Sequence, residues 1–407
     1  MATVAIISEY NPFHNGHEYQ IKKIREELGL DTKIIAIMSG SFTQRGENAI
    51  FDKATRAKCA VLGGVNLVLE LPFPFCASGA EFFGSAAVKL INSIGGIDYL
   101  SFGSECGDIE LLEKSAEIML EDSFISEIKE NYSSKENDKV GYPVLCERML
   151  NGRLSEYGKE IKLTANNILA IEYIKALKST KSQAKPHTVT RIGGGYSEEK
   201  FIPGDMQSAT AIRNEIKKDV FSALEYIPFL SKDTILNSIN CGIGPCEFSK
   251  LDYAIITHLR LLPTECPVDF CDKDVGLYNR LKAISLKTHD IQTLVKLTVT
   301  KKYTAARVKR AILHSLLGVT SSELKMQPLY TQVLALDDTG RALLRSFEAT
   351  SEIPILTKPS NTLAMSEMAK EQMEKSVRAE SIFTLTMPSP DSRNSALKFT
   401  PFVKKDD

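Results

Sequence analysis

The stretch TVAIISEYNPFHNGHEYQIKKIREELG, residues 3–29, joins two kinds of periodicity. Its first part, TVAIIS, is short, continuous and rich in β-branched residues, the pattern of a strand buried on both faces. From His17 onward Tyr19, Ile21, Ile24 and Leu28 recur at helical spacing, and Gly29 stands at a natural stop. The join EYNPFHNGHEYQ therefore lies where a strand ends and a helix begins. It holds His14 and His17, two of only 6 histidines in the chain.

The same alternation continues outward. KIIAIMSG, NLVLELP and IDYLSFGSE read as further apolar strands, while KATRAKCAVLGG and EFFGSAAVKLINSIGG read as helices. Strand and helix in this rhythm predict an α/β fold, a Rossmann-like parallel sheet with helices on both faces. Its ligand edge is where the strands end in small or polar residues. Residues 108–165 are mostly helical and charged, a helical insertion that predicts a cap or lid. NNILAIEYIKALKS is an amphipathic helix, HTVTRIGGG a last strand with its loop, and SATAIRNEIKKD a helix with Ser208 or Thr210 as its cap. The expected organisation is an α/β domain over 1–220, which carries the helical insertion, and a mainly helical C-terminal domain over 221–407. Within the latter, LYTQVLALDDTGRALLRSF…IPILTK reads as strand, turn, helix and strand.

A helix N-terminus carries unpaired N–H groups and the positive end of a dipole, so the join is suited to phosphate. His14 and His17 are one turn apart and share a face. Gly16 allows close approach to the backbone and Pro12 stiffens the entry. Two imidazoles here are placed to donate hydrogen bonds to phosphate oxygens as charge develops. Ser208, Thr210 and Arg213 of SATAIR form a second phosphate-binding constellation, with hydroxyls, helix-start N–H groups and a guanidinium fork.

Composition excludes some alternatives. With 407 residues and a formal net charge of −1, bulk charge does not mark a nucleic-acid binder, although a local basic patch is compatible with it. No apolar run is long enough to span a membrane and no signal peptide is read, which implies a cytoplasmic protein. Cys241/Cys246 and Cys266/Cys271 form C-x4-C pairs, wider than the usual zinc knuckle, and are read as idle thiols rather than a metal site.

EYNPFHNGH, MSGSFTQRGE, DKATRAKCAVLGGVNLVLELPF, FGSE, NNILAIEYIKAL, SATAIR and KKYTAARVKRAILH, in this order, resemble the tRNA(Met) cytidine acetate ligase family of the H-x-G-H nucleotidyltransferase superfamily. The resemblance covers most of the chain and is weakest in the inserted helices and over 231–296. It implies activation of acetate by ATP, arriving with Mg²⁺, to acetyl-adenylate. The acetyl group would then pass to N4 of the wobble cytidine of elongator tRNA(Met). It implies an ATP site formed by Ile7, Ser8, Glu9, Tyr10, Asn11, Pro12, Phe13, His14, Asn15, Gly16, His17, Glu18, Tyr19 and Gln20, with Gly103, Asn166, Arg191, Ser208 and Thr210. His14, His17 and Arg213 would be catalytic. Gly103 is read in the loop after the fourth strand, leaving room for a base or ribose. Ala165, Ala170 and Ser197 depart from the family pattern and bear on local loop shape.

Two further clusters are candidates. Gln44, Arg45, Glu47, Asp52, Lys53 and Arg56 follow the second strand and could line an acetate or cytidine pocket, or form a solvated helix start. Lys301, Lys302, Arg307, Lys309 and Arg310 form a basic stripe suited to RNA phosphates, with Tyr303 placed to stack on a base. Rival readings are an adenylyl- or cytidylyltransferase acting on a small phosphorylated acceptor, and a non-catalytic RNA-binding relative. The long C-terminal half argues against the first, and the intact His14, His17 and Arg213 against the second.

Overall fold

The computed structural model describes residues 1–133, 141–192, 207–267, 270, 274–358, 361–363, 365–389 and 399–405. The opening run forms β1 (Thr3–Ser8), which pairs in parallel with β2 (Lys33–Ser39) from Thr3↔Lys33 to Ser8↔Met38. β3 (Leu67–Leu71) extends the sheet beyond β2, whereas β4 (Tyr99–Ser104) returns to the other side of β1 and is followed by β5 (Lys185–Thr190). The connecting helices are α1 (Asn15–Leu28), α2 (Lys53–Leu62), α3 (Ala80–Ile94), α4 (Ile109–Leu120), α5 (Asp122–Ser133), α6 (Tyr142–Leu154) and α7 (Ala165–Ser179).

Strand residues alternate between faces. Val4, Ile6, Ile34, Ala36 and Val68 pack with Ile21 and Ile24 of α1 and Ala57 and Val61 of α2. Ala5, Ile7, Ile35, Ile37, Leu67 and Leu69 pack with Phe83, Leu90 and Ile91 of α3, Leu112 of α4 and Ile171 and Ile174 of α7. Both faces are covered, and this is why the strands read as unbroken apolar runs. The chain order reverses between β1 and β4, so the switch-point crevice opens at their C-terminal ends.

α8 (Ala209–Ile216), α9 (Val220–Ala223) and α10 (Phe229–Asn240) stay on the α1/α2 side, through Ile212, Ile216 and Ile235. α11 (Asp252–Leu261), α12 (Val275–Ser285), α13 (Ile291–Thr298) and the first half of α14 (Ala305–Leu317) enclose a separate small core. The other end of α14 reaches the main core through Leu313 and Leu317. The chain then returns to the sheet. β6 (Thr331–Leu336) lies antiparallel on β3, followed by α15 (Asp338–Glu348), β7 (Ile355–Leu356), α16 (Glu367–Thr384) and β8 (Phe402–Val403), both short strands pairing with β6.

Several expectations change. The sheet crosses the boundary expected at residue 220, because the apolar edge of β3 is covered by β6 from far along the chain. The expected turn at DDTG is instead the start of α15, with Asp337 capping it by accepting from the Gly340 N–H at 2.7 Å. The inserted helices are not an independent lid. Leu112, Ala116, Leu145 and Leu150 belong to the main core, and no described residue of 108–165 lines the cleft at the start of α1.

Candidate active site

The site is built at the start of α1. The chain leaves β1, passes Tyr10 with φ 45, and crosses a cis Asn11–Pro12 bond. Phe13 is fully buried, with its ring on Gly63, where an added Cβ would lie 2.3 Å from the ring. That contact fixes the corner to the end of α2. His14 caps α1: its Nδ1 accepts from the Gly16 N–H at 3.1 Å, while Nδ1 of His17 accepts from the His14 N–H at 3.2 Å. The two rings stack at 3.8 Å, with Tyr10 edge-on to His17 at 4.9 Å.

This reciprocal cap dictates the tautomers. With both Nδ1 atoms accepting, each neutral ring carries its proton on Nε2. Among the described residues neither Nε2 has a protein partner, and both rings line the cleft. Burial, reinforced by the positive charges of Arg191 and Arg213, lowers His14 to about 3. His17 is held well below its ordinary value by burial, His14 and Arg191. Near neutrality the pair is therefore two uncharged hydrogen-bond donors.

Across the cleft, Ser208 caps α8 by accepting from the Ala211 N–H at 3.1 Å. Arg213, one turn into that helix, donates to the Asn11 carbonyl at 2.8 Å and to Thr210 Oγ1 at 3.0 Å. The two phosphate-binding motifs are thus joined directly. Two helix N-termini and Arg45, Arg191 and Arg213 make the cleft strongly cationic, a field matched to a polyphosphate. The cleft continues into a narrower recess lined by Gly16, Gln20, Gly103, Thr190, Arg191 and Gln207. Among the described residues Gln20 Nε2 is a buried donor without a partner.

Most of the remaining sequence candidates converge on this cleft, with corrections of detail. Gly103 lies within β4, opposite Val189 of β5, rather than in the loop beyond it. An added Cβ would be 3.1 Å from Arg191 Cγ, so the space beside it is taken by the stem of Arg191. Asn166 lines the cleft from the first turn of α7, but the helix cap is Thr164. Asn166 Nδ2 donates to Glu105 Oε1 at 2.6 Å, and Glu105 also accepts from Thr164 Oγ1 and the Asn167 N–H. Sequence reading does not single out Glu105, although a carboxylate directly after a strand, within FGSE, was the available signal. Ile7, Ser8, Glu9, Tyr10 and Asn11 also line the cleft. Pro12 and Phe13 do not; they form the corner that holds it. Ser197 lies outside the described residues.

The cluster after β2 divides into two parts. Gln44, Arg45 and Glu47 line the cleft. Arg56 does not: it is fully buried and donates to the carbonyls of Glu9 at 2.6 Å, Ser39 at 3.1 Å, Phe51 at 3.0 Å and to that of Gly40. One guanidinium thereby joins the ends of β1 and β2. Asp52 caps α2, and Lys53 is buried in an ion pair with Glu70 at 2.9 Å.

The basic stripe is also used inside the molecule. Lys309 pairs with Glu47, Arg310 donates to the Gln44 carbonyl at 3.0 Å, and Arg307 and Lys302 reach Asp274 at 3.1 and 3.4 Å. Tyr303, expected to stack on a base, is buried with its hydroxyl on Asp274 at 3.0 Å. Of the cysteines, Cys246 is buried and Cys241 exposed, and Cys271 lies outside the described residues. Among the described residues no group of three or more His, Cys, Asp or Glu is placed to hold a metal ion. No helix among them is long and apolar enough to cross a membrane.

The family model for HIGH Nucleotidyl Transferase matches residues 1–397. The chain is 34% identical over 416 residues to the tRNA(Met) cytidine acetate ligase of Acetivibrio thermocellus, covering 98% of this chain and 99% of that protein. Against the tRNA(Met) cytidine acetate ligase of a Thermoanaerobacter species the identity is 36% over 409 residues, covering 99% and 98%. The crystal structure of Thermotoga maritima TmcAL in its apo form I superposes with a TM-score of 0.91 at 27% identity, over 100% of both chains. The same protein bound with alpha-thio ATP superposes with a TM-score of 0.89 at 28% identity, again over 100% of both chains.

Proposed function

The chain belongs to the tRNA(Met) cytidine acetate ligase family of HIGH nucleotidyltransferases, and from that membership we propose that it activates acetate with ATP and acetylates N4 of the wobble cytidine of elongator tRNA(Met) in the cytoplasm. The observation that carries the reading is the stacked pair His14 and His17, whose unengaged Nε2–H groups face a cleft ringed by arginines.

In this reading the adenosine half of ATP occupies the recess between α1 and the ends of β4 and β5, where Gln20 Nε2 supplies a donor. The triphosphate crosses the starts of α1 and α8. An acetate oxygen attacks the α-phosphorus in line; the new O–P bond forms as the bond to the β-phosphate oxygen breaks. His14 and His17 donate to the developing charge, and Arg213, with Ser208 and Thr210, holds the departing pyrophosphate. The histidines transfer no proton in this step: both are neutral, keep their Nε2–H and act as fixed dipoles. Mg²⁺ would travel with the triphosphate rather than in a protein cage. Glu9 and Glu47 are the acidic residues lining the cleft, and Glu47 is already paired with Lys309. Acetyl transfer to the cytidine amine then releases AMP.

The test is to incubate the protein with labelled acetate and total tRNA, with and without ATP, and to measure label retained on RNA. ATP-dependent label that maps to the wobble cytidine is the expected result. Folded, ATP-binding protein that leaves RNA unlabelled would overturn the reading.

A further inference from the structure

Glu9 is out of keeping with its surroundings. It lines a cleft otherwise furnished with Arg45, Arg191, Arg213 and two helix N-termini, where a carboxylate weakens the hold on a polyphosphate. Unlike Glu47, it is not in an ion pair: among the described residues its carboxylate makes one hydrogen bond, from the Gln44 N–H to Oε1 at 2.8 Å. Its backbone is fixed, because buried Arg56 grips the Glu9 carbonyl at 2.6 Å. It also lies outside the recess assigned above to adenosine, on the side of the cleft formed by Thr43, Gln44 and Arg45. A carboxylate is the acceptor that suits the N4 amine of cytosine.

We propose that Glu9 is the residue that receives the cytidine amine and accepts its proton during acyl transfer; this rests on the function proposed above. N4 attacks the acetyl carbonyl carbon, the C–N bond forms, and the carbonyl π pair moves to oxygen. The positively charged nitrogen passes one proton to Glu9 Oε2. The oxygen pair then re-forms the carbonyl as the C–O bond to the adenylate breaks and AMP leaves, and Glu9 returns its proton to solvent. Burial raises the proton affinity of Glu9 above that of an ordinary carboxylate, against the opposing pull of the Gln44 N–H, Arg213, Arg45 and Arg56, which brings it nearer the working pH of a general base.

The two half-reactions separate this role from mere support of the 43–47 loop. Glu9→Gln keeps an oxygen to accept from the Gln44 N–H but cannot take the proton. Because Glu9 lines the cleft that also takes ATP, the readout is a ratio: Glu9→Gln is expected to lower tRNA acetylation at least about thirtyfold more than it lowers acetate-dependent ATP–pyrophosphate exchange, run with and without tRNA. Glu9→Asp, a shortened base, should acetylate faster than Glu9→Gln. Transfer by Glu9→Gln at near wild-type rate overturns the inference. So does equal loss of both half-reactions in Glu9→Gln and Glu9→Asp, which would mark a structural role. Absence of acetate-dependent exchange in the wild-type protein, by contrast, would count against the proposed function itself.

Discussion

The corner at 9–20 and the basic segment at 301–314 were both conspicuous in the sequence, and both carry histidine and positive or phosphate-seeking character. In the fold they differ in what is left over. At the corner, Nδ1 of His14 and His17 is engaged by α1 itself, so each Nε2–H remains for the cleft. In the basic segment Arg307, Lys309 and Arg310 are engaged by Asp274, Glu47 and the Gln44 carbonyl, and Nε2 of buried His314 donates to the Ala77 carbonyl at 2.8 Å. A motif whose own backbone satisfies half of each side chain announces a site. A motif whose partners come from other, distant segments of the chain announces an interface.

The largest effect should come from separating the two uses of His14. His14→Ala is expected to lower pyrophosphate exchange by about a hundredfold or more and to cost about 1 kcal/mol of stability through the lost cap. His14→Asn can restore the cap and the stability, measured by urea denaturation, without restoring exchange. Recovery of both would reduce His14 to a capping residue and erase the contrast.

Arg310 comes next. It positions Gln44, and through Gln44 the carboxylate of Glu9. Arg310→Ala should slow tRNA acetylation roughly tenfold by misplacing the loop, with little change in the Kd for tRNA. A weakened Kd with unchanged turnover would return the segment to RNA contact.

Acid should expose the corner more gently. His14 titrates at about 3 in the fold and near 6.5 when unfolded. The unfolded chain therefore binds more protons between those values, so stability is fully present above about 6.5 and falls as pH drops through the window. His314, held down to about 4 by burial, adds to the same trend. Denaturation midpoints of His14→Asn across this range should slope less steeply than wild type; an unchanged slope would show that the corner histidine is not the buried neutral group described.

The smallest expected effect is the sharpest for the other region. Because Lys309 is paired with Glu47, Lys309→Ala should leave the salt dependence of tRNA binding unaltered. An RNA phosphate contact would instead reduce the slope of log K against log salt by about 1.

Much of the first half was legible because its determinants are local. β1 to β4, the intervening helices, the α1 corner and the Ser208 cap follow from runs of apolar residues, helical spacing and capping chemistry within about one turn. The errors are of another kind. Gly103 reads as a loop residue yet lies in β4, because a short strand's end is set by its neighbour β5 and not by its own residues. The polar neighbours of Arg56 leave it open between a pocket residue and a solvated helix start, and only packing puts four carbonyls around it.

The sequence alone determined the parallel α/β core and the chemistry of the corner, since hydrophobic period and a reciprocal backbone cap act over neighbouring residues. Tertiary structure alone decided that β6 completes the sheet, that α14 clamps the loop beside the cleft, and that Glu9, with no ion pair among the described residues, stands in a cleft lined by arginines. Those outcomes depend on which distant surfaces meet, and charge and burial at a site are sums over everything brought within a few ångströms of it.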